Sequence, residues 1–102
     1  MYLNDGRWNG EQILSREWVR NALLPQSNMW GEDYGYGWWL ISYPYQGQEV
    51  KAFYAGGNGG QYVIGVPELD LLITFFAGNY NQSIMHQTKR ELVPEYILRA
   101  VE

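Results

Sequence analysis

Cysteine is absent from the chain. That removes disulfides, zinc–thiolate sites and a cysteine nucleophile, and it leaves the redox compartment open. No hydrophobic run approaches the roughly 20 residues that a membrane span needs. The start, Met1-Tyr2-Leu3-Asn4-Asp5-Gly6, turns polar at once, so neither a membrane span nor a signal peptide is expected. Positive charge is scarce: seven Lys and Arg stand against eleven Asp and Glu, for a net charge of −4. The densest basic spot is the pair Lys89-Arg90, so neither nucleic acid nor an anionic membrane is expected as a partner. A single histidine, His86, offers no pair to ligate a metal, and no metal or cofactor is expected. Ser-x-x-Lys, Gly-x-Ser-x-Gly and phosphate-loop patterns are all missing.

Aromatic residues, by contrast, are plentiful: five Trp and nine Tyr among 102 residues. A chain of this length makes one domain. So many rings need a neighbouring domain, a partner surface or a ligand groove to cover them.

The pattern along the chain predicts an α+β fold: a helix, several antiparallel strands and a closing helix. Leu3-Asn4-Asp5-Gly6 reads as a helix end capped by Gly6, or else as a hairpin turn. Asn9-Gly10 is a tight-turn signal between short extended segments. Ser15 is placed to N-cap a helix reaching Leu23 or Leu24, with Glu17 in its first turn and Pro25 ending it. The apolar face of that helix is Trp18, Val19, Ala22 and Leu23, and residues 25 to 33 read as a loop. About four strands are expected. The first runs from Tyr34 to Ile41 and pairs as a hairpin with Val50 to Ala55. Gln61 to Val66 follows, and then Leu71 to Ala77, whose near-continuous apolar run predicts a central strand. A helix lies somewhere between residues 88 and 101, with Pro94 in its first turn or at a kink and with Leu92, Tyr96, Ile97 and Ala100 as its apolar face.

Few side chains suit chemistry. Ser15 serves as a cap, and Ser27, Ser42 and Ser83 have no activating motif around them. His86 reads as a surface residue. Glu68 and Asp70 read as turn chemistry around Pro67, and Glu32 and Asp33 as a solvated loop. The informative stretch is Gly56-Gly57-Asn58-Gly59-Gly60, with four glycines in five positions between two strand patterns. A hairpin needs one or two. The turn is therefore either a tight strand connection or a place where backbone N–H groups approach a ligand or a developing oxyanion.

Several segments, in order, resemble serine hydrolases of the β-lactamase-related family, which includes class C β-lactamases, penicillin-binding-protein-like esterases and 6-aminohexanoate-oligomer hydrolases. These segments are Asn4 to Val19, Tyr36-Gly37-Trp38, Gly57 to Tyr62 with Pro67-Glu68-Leu69-Asp70-Leu71, and Ala77-Gly78-Asn79-Tyr80-Asn81. Together they cover nearly the whole chain. The family fold implied is an antiparallel sheet with helices on both faces and a separate helical subdomain. Its site combines Ser-x-x-Lys, a Tyr-x-Asn or lone Tyr element, and a third motif of the Lys-Thr-Gly or His-x-Gly type. Tyr2-Leu3-Asn4 stands too close to the later landmarks to be the second motif, so the chain reads as the C-terminal portion of such an enzyme.

The resemblance implies an altered third motif. One register sets Ala55-Gly56-Gly57 at the Lys-Thr-Gly positions and makes the Asn58 backbone N–H an oxyanion-hole donor. The other sets Asn58-Gly59-Gly60 there and moves the donor to Gln61. Ala55, Gly56, Gly57, Gly59, Gly60 and Gln61 are then substrate-binding. Neither register contains the lysine that helps bind the substrate carboxylate in β-lactam-directed members, which favours ester or amide substrates over β-lactams. The substrate would be a small ester, amide or β-lactam, processed only with the missing upstream part, and the isolated chain is expected to be inactive. Family members often act in the periplasm or outside the cell. Uncovered sheet surfaces predict a dimer or a domain-swapped form. The rival expectation is a non-catalytic binding module, with Tyr34, Tyr36, Trp38, Trp39, Tyr43 and Tyr45 lining a groove for a glycan or peptide.

Overall fold

In a computed structural model, residues 1–101 are described, with Met29 described by its backbone alone. The fold is α+β. A six-stranded antiparallel sheet carries the molecule: β3 (Ser27–Met29), β4 (Glu32–Tyr34), β5 (Trp39–Tyr45), β6 (Gln48–Gly57), β7 (Gln61–Val66) and β8 (Leu71–Phe75). Their spatial order is their sequence order, a simple meander. Ahead of the sheet come a 3-10 turn (Tyr2–Asn4), a small hairpin of β1 (Arg7–Trp8) and β2 (Glu11–Gln12), and helix α1 (Arg16–Ala22). The chain closes with a π-helix (Thr88–Ile97) that runs into one α-helical turn, α2 (Leu98–Ala100).

Local chemistry accounts for most of these boundaries. Ser15 Oγ accepts from the Trp18 N–H at 3.0 Å, and Glu17 sits in the first turn of α1, where the helix dipole favours an acid. Asn9-Gly10 and Gln46-Gly47 all have positive φ, the requirement of a two-residue type I′ hairpin turn. Pro67–Leu69 forms a 3-10 turn closed by left-handed Asp70, whose N–H donates to the Pro67 carbonyl. Glu68 and Asp70 are thus turn residues, as expected from Pro67.

Four expectations are corrected. The segment from residue 25 to 33 is not a loop: it contributes β3 and β4, raising the sheet from about four strands to six. The predicted strand from Tyr34 to Ile41 is broken, because Gly35 to Trp38 turn the chain between β4 and β5, with Gly37 at φ 83°. β8 is an outer strand, not a central one. Its continuous apolar run describes a strand with both faces apolar, and one of those faces is open: Leu72 is 57% and Phe76 87% exposed.

The C-terminal helix also turns a different face inward. Lys89, Val93 and Leu98 are buried, at spacings of four and then five residues, whereas Leu92, Tyr96 and Ala100 are exposed. The wider i→i+5 winding of a π-helix produces that spacing, with the Leu98 N–H donating to the Val93 carbonyl. Pro94, inside the helix, has no N–H for the ordinary α ladder.

The two sheet faces differ. One packs Tyr43, Val50, Ala52, Tyr54, Tyr62, Ile64, Val66 and Ile73 against Val93 and Leu98 of the C-terminal helix. The opposite face is covered only in part. There Phe53 packs edge-on to Trp38, with ring centroids 4.9 Å apart, and Tyr2 sits beside it at 6.3 Å. Farther along, Val63 (38% exposed) and Leu72 lie open on that face.

Candidate functional site

The six residues flanking Asn58 in the sequence-predicted site are brought together by the β6–β7 hairpin. Ala55, Gly56 and Gly57 end β6, opposite Val63, Tyr62 and Gln61 of β7. Between the strands lie Asn58, Gly59 and Gly60. The Gly60 N–H donates to the Gly57 carbonyl at 3.4 Å, and Gly59 has φ 97°. A positive φ at the third residue of a four-residue turn is the type II arrangement, which demands glycine there. Gly60, at φ 104°, extends the same requirement. Two of the four glycines therefore answer to turn geometry.

The other contacts around the turn are close. A Cβ on Gly56 would stand 2.9 Å from the Tyr62 ring, and one on Gly59 would stand 2.8 Å from the Tyr80 ring. Gly59 and Gly60 are buried, whereas Gly56, Gly57 and Asn58 are exposed. The loop after β8 packs along this turn. The Asn79 N–H donates to the Gly59 carbonyl at 2.9 Å, and Gln61 Nε2 donates to the Ala77 carbonyl at 2.6 Å. Asn58 Nδ2 donates to Asn81 Oδ1 at 3.1 Å, and the Asn81 N–H donates to Asn58 Oδ1 at 2.9 Å. The Gly59 N–H points to Met85 Sδ at 3.4 Å. The Asn58 backbone N–H has no hydrogen-bond partner among the described residues.

The two grooves described lie away from this turn. One groove of ≈ 670 Å³ lies between α1, the N-terminal 3-10 turn and the sheet; another of ≈ 770 Å³ lies between β5 and the C-terminal helix. Neither is lined by residues 55 to 61. Of the rings offered as a binding groove, Tyr43 and Tyr45 line the groove between β5 and the C-terminal helix, and Tyr34, Tyr36, Trp38 and Trp39 line neither. Tyr43 is buried and donates to the Lys89 carbonyl at 2.9 Å. Tyr45 donates to the Val101 carbonyl at 2.6 Å. Trp39 and Tyr34 meet edge-on at 4.7 Å, Trp38 packs on Phe53 across the sheet, and Tyr36 stacks on Trp18 at 5.4 Å.

A second polar constellation lies beneath the sheet, and sequence reasoning missed it. Lys89 is only 3% exposed. Its Nζ donates to the Tyr54 hydroxyl at 2.8 Å and lies 3.3 Å from Glu32 Oε1. The Tyr54 hydroxyl in turn donates to Glu32 Oε2 at 2.5 Å. Glu32 is therefore no solvated loop residue: β4 presents it to the C-terminal helix. Burial pushes its carboxyl up, but the Tyr54 hydroxyl and the Lys89 charge outweigh burial and hold it below the usual carboxylate range. Burial draws the Lys89 ammonium below its ordinary value, against the pull of Glu32. Burial, with Glu32 as hydrogen-bond acceptor and neighbouring charge, drives Tyr54 far above an ordinary tyrosine. Lys89 and Tyr54 are buried, and Glu32 reaches the edge of the groove beside α1 with a side chain 32% exposed, so the cluster ties sheet to helix as a latch.

His86 Nδ1 lies 2.6 Å from the Tyr62 hydroxyl, tying the 3-10 turn Ser83–His86 to β7. Burial, then the charges of Lys89 and Arg90, lower its pKa. The chain matches no protein-family model and no curated protein. Among the described residues no helix is long and apolar enough to cross a membrane.

Proposed function

We propose that this chain is the third-motif portion of a serine hydrolase of the β-lactamase-related class. The Asn58 N–H is one oxyanion-hole donor, and Ala55, Gly56, Gly57, Gly59, Gly60 and Gln61 are the wall that faces the substrate. One observation carries the reading: at the exposed residue Asn58, a backbone N–H without a partner among the described residues, in a turn whose Gly59 carbonyl and Asn58 and Gln61 side chains are bonded to an adjacent loop. A preorganised donor of that kind stabilises the negative oxygen formed when a nucleophile attacks a carbonyl. The nucleophile, its base and the second donor come from outside these 102 residues. A donor without them cannot complete acyl transfer. Ester or amide substrates are favoured over β-lactams, because no lysine stands at Ala55 or Asn58, and Lys89 is engaged in the latch.

The test joins this chain to the nucleophile-bearing portion of a β-lactamase-related esterase, replacing that enzyme's own third-motif sheet. The chain alone is expected to leave a p-nitrophenyl ester and a fluorophosphonate probe untouched. The chimera is expected to be labelled by the probe at its serine and to turn over the ester. A folded chimera that does neither counts against the reading, and so does hydrolysis by the chain alone.

Self-association follows from the same uncovered surface. β8 carries no charge, proline or bulge, the usual protections of an outer strand. Paired antiparallel with a second copy about Ile73, it would set Leu72 opposite Thr74 and continue the open apolar face across both copies. The chain is expected to be dimeric by light scattering at high concentration, and Leu72→Lys is expected to make it monomeric. A wild-type monomer at high concentration would remove this partner.

A further inference from the structure

We propose that Asn81 is a positioning residue for the glycine turn. It holds the Asn58 carboxamide so that the Asn58 peptide keeps one orientation with its N–H uncovered. The inference rests on the reading of that N–H as an oxyanion donor. Its physical content, an ordered turn, stands independently.

An asparagine side chain in a turn can bond back to its own backbone two residues on. Here that would bring the Asn58 side chain over the turn it belongs to. The Asn58–Asn81 pair prevents this. Asn81 sits at φ 58°, a left-handed conformation that asparagine tolerates better than most residues. From there its backbone N–H reaches Asn58 Oδ1 at 2.9 Å, and its own Oδ1 receives Asn58 Nδ2 at 3.1 Å. Both polar atoms of the Asn58 side chain are thereby directed to Asn81 and away from the turn. Two further contacts brace the adjoining residue: Asn79 holds the Gly59 carbonyl, and the Tyr80 ring fills the space beside Gly59. Three consecutive residues of one loop thus grip two consecutive residues of the turn.

The test is made on the whole 102-residue chain by ¹⁵N relaxation and amide exchange. In the wild type the Asn58 amide is expected to have an order parameter of about 0.85, that of rigid backbone. Asn81→Gly keeps the positive φ but deletes the side-chain acceptor, and the order parameters of Asn58 and Gly59 are expected to fall below about 0.6. Asn81→Asp keeps an acceptor for Asn58 Nδ2 and the backbone donor, so it is expected to restore wild-type order. Asn58→Ala removes the pair from the other side without altering residue 81, and is expected to loosen the turn as Asn81→Gly does. The proposal is overturned if both deletions leave the turn as rigid and as slow to exchange as the wild type, or if Asn81→Asp loosens it as much as glycine. A loosened turn in a chimera that keeps its full rate would remove the oxyanion reading and leave the clamp standing. A rigid turn would remove the clamp and leave the oxyanion reading to be decided by Asn58→Pro.

Discussion

In the chimera, Asn58→Pro lowers kcat by about 10²- to 10³-fold, the usual cost of losing one oxyanion-hole donor. Proline is suited to this position. Asn58 is the second residue of a type II turn, where proline is common, so the substitution deletes the N–H and keeps the backbone shape. Asn58→Ala is the companion variant. It keeps the N–H and loses the side-chain bonds to Asn81, so it costs less, on the order of tenfold, through a looser donor. The ratio between the two variants isolates the hydrogen atom itself. KM changes little in either, because the donor acts on the charge that develops during reaction. Steady-state kinetics with a p-nitrophenyl ester measures both. Equal rates for the proline and alanine variants would show that the N–H does not contact the reacting oxygen.

Breaking the latch has the largest effect on stability, and the effect is asymmetric. Glu32→Ala leaves the Lys89 ammonium buried without a carboxylate, with the neutral Tyr54 hydroxyl and the Tyr54 and Tyr62 rings beside it. The cost is about 3 kcal/mol, the lower end for an unpaired buried charge, since the Glu32 side chain is 32% exposed and water already reaches one end of the pair. Lys89→Met keeps the apolar stem and leaves Glu32 able to turn toward water, so about 1 kcal/mol is expected. Urea denaturation at neutral pH measures both. A larger loss for Lys89→Met than for Glu32→Ala would invert the argument.

The same latch sets an acid response. The folded Glu32 carboxyl ionises below its ordinary value of 4.5, so the unfolded chain binds the extra proton. The contribution is complete above that ordinary value and is lost as pH falls through the folded one. His86, also lowered, acts in the same direction from its ordinary 6.5 downward. In Lys89→Met, the Glu32 part of the acid loss is expected to shrink.

Much of the frame was legible because it depends on short-range chemistry. The Ser15 cap, the Asn9-Gly10 turn, the Pro67 turn and the β6–β7 pair are each written in a few adjacent residues. The glycine turn was legible as a location for the same reason. Its partners were not: Asn79 and Asn81 are brought to it by a pairing about twenty residues away, and no local pattern marks that. β3 and β4 are too short and too polar to show an alternating pattern. β8 misled because an apolar run tells that both faces of a strand are apolar, and does not tell what covers its edge. Lys89 was missed because a lysine beside an arginine reads as surface. Its burial depends on a π-helical spacing and on Glu32, which lies 57 residues earlier.

The latch also has a kinetic meaning. Every strand of the sheet adjoins its sequence neighbour, so the meander closes through short loops at small entropic cost. The Lys89 bonds to Tyr54 and Glu32 and the Tyr45 bond to Val101 join residues 35 to 57 positions apart. Contacts of that reach reward the chain only after the sheet exists. Damage to the latch should therefore appear as faster unfolding, with the rate of folding nearly unchanged. The C-terminal helix is the part that keeps an already formed sheet from opening.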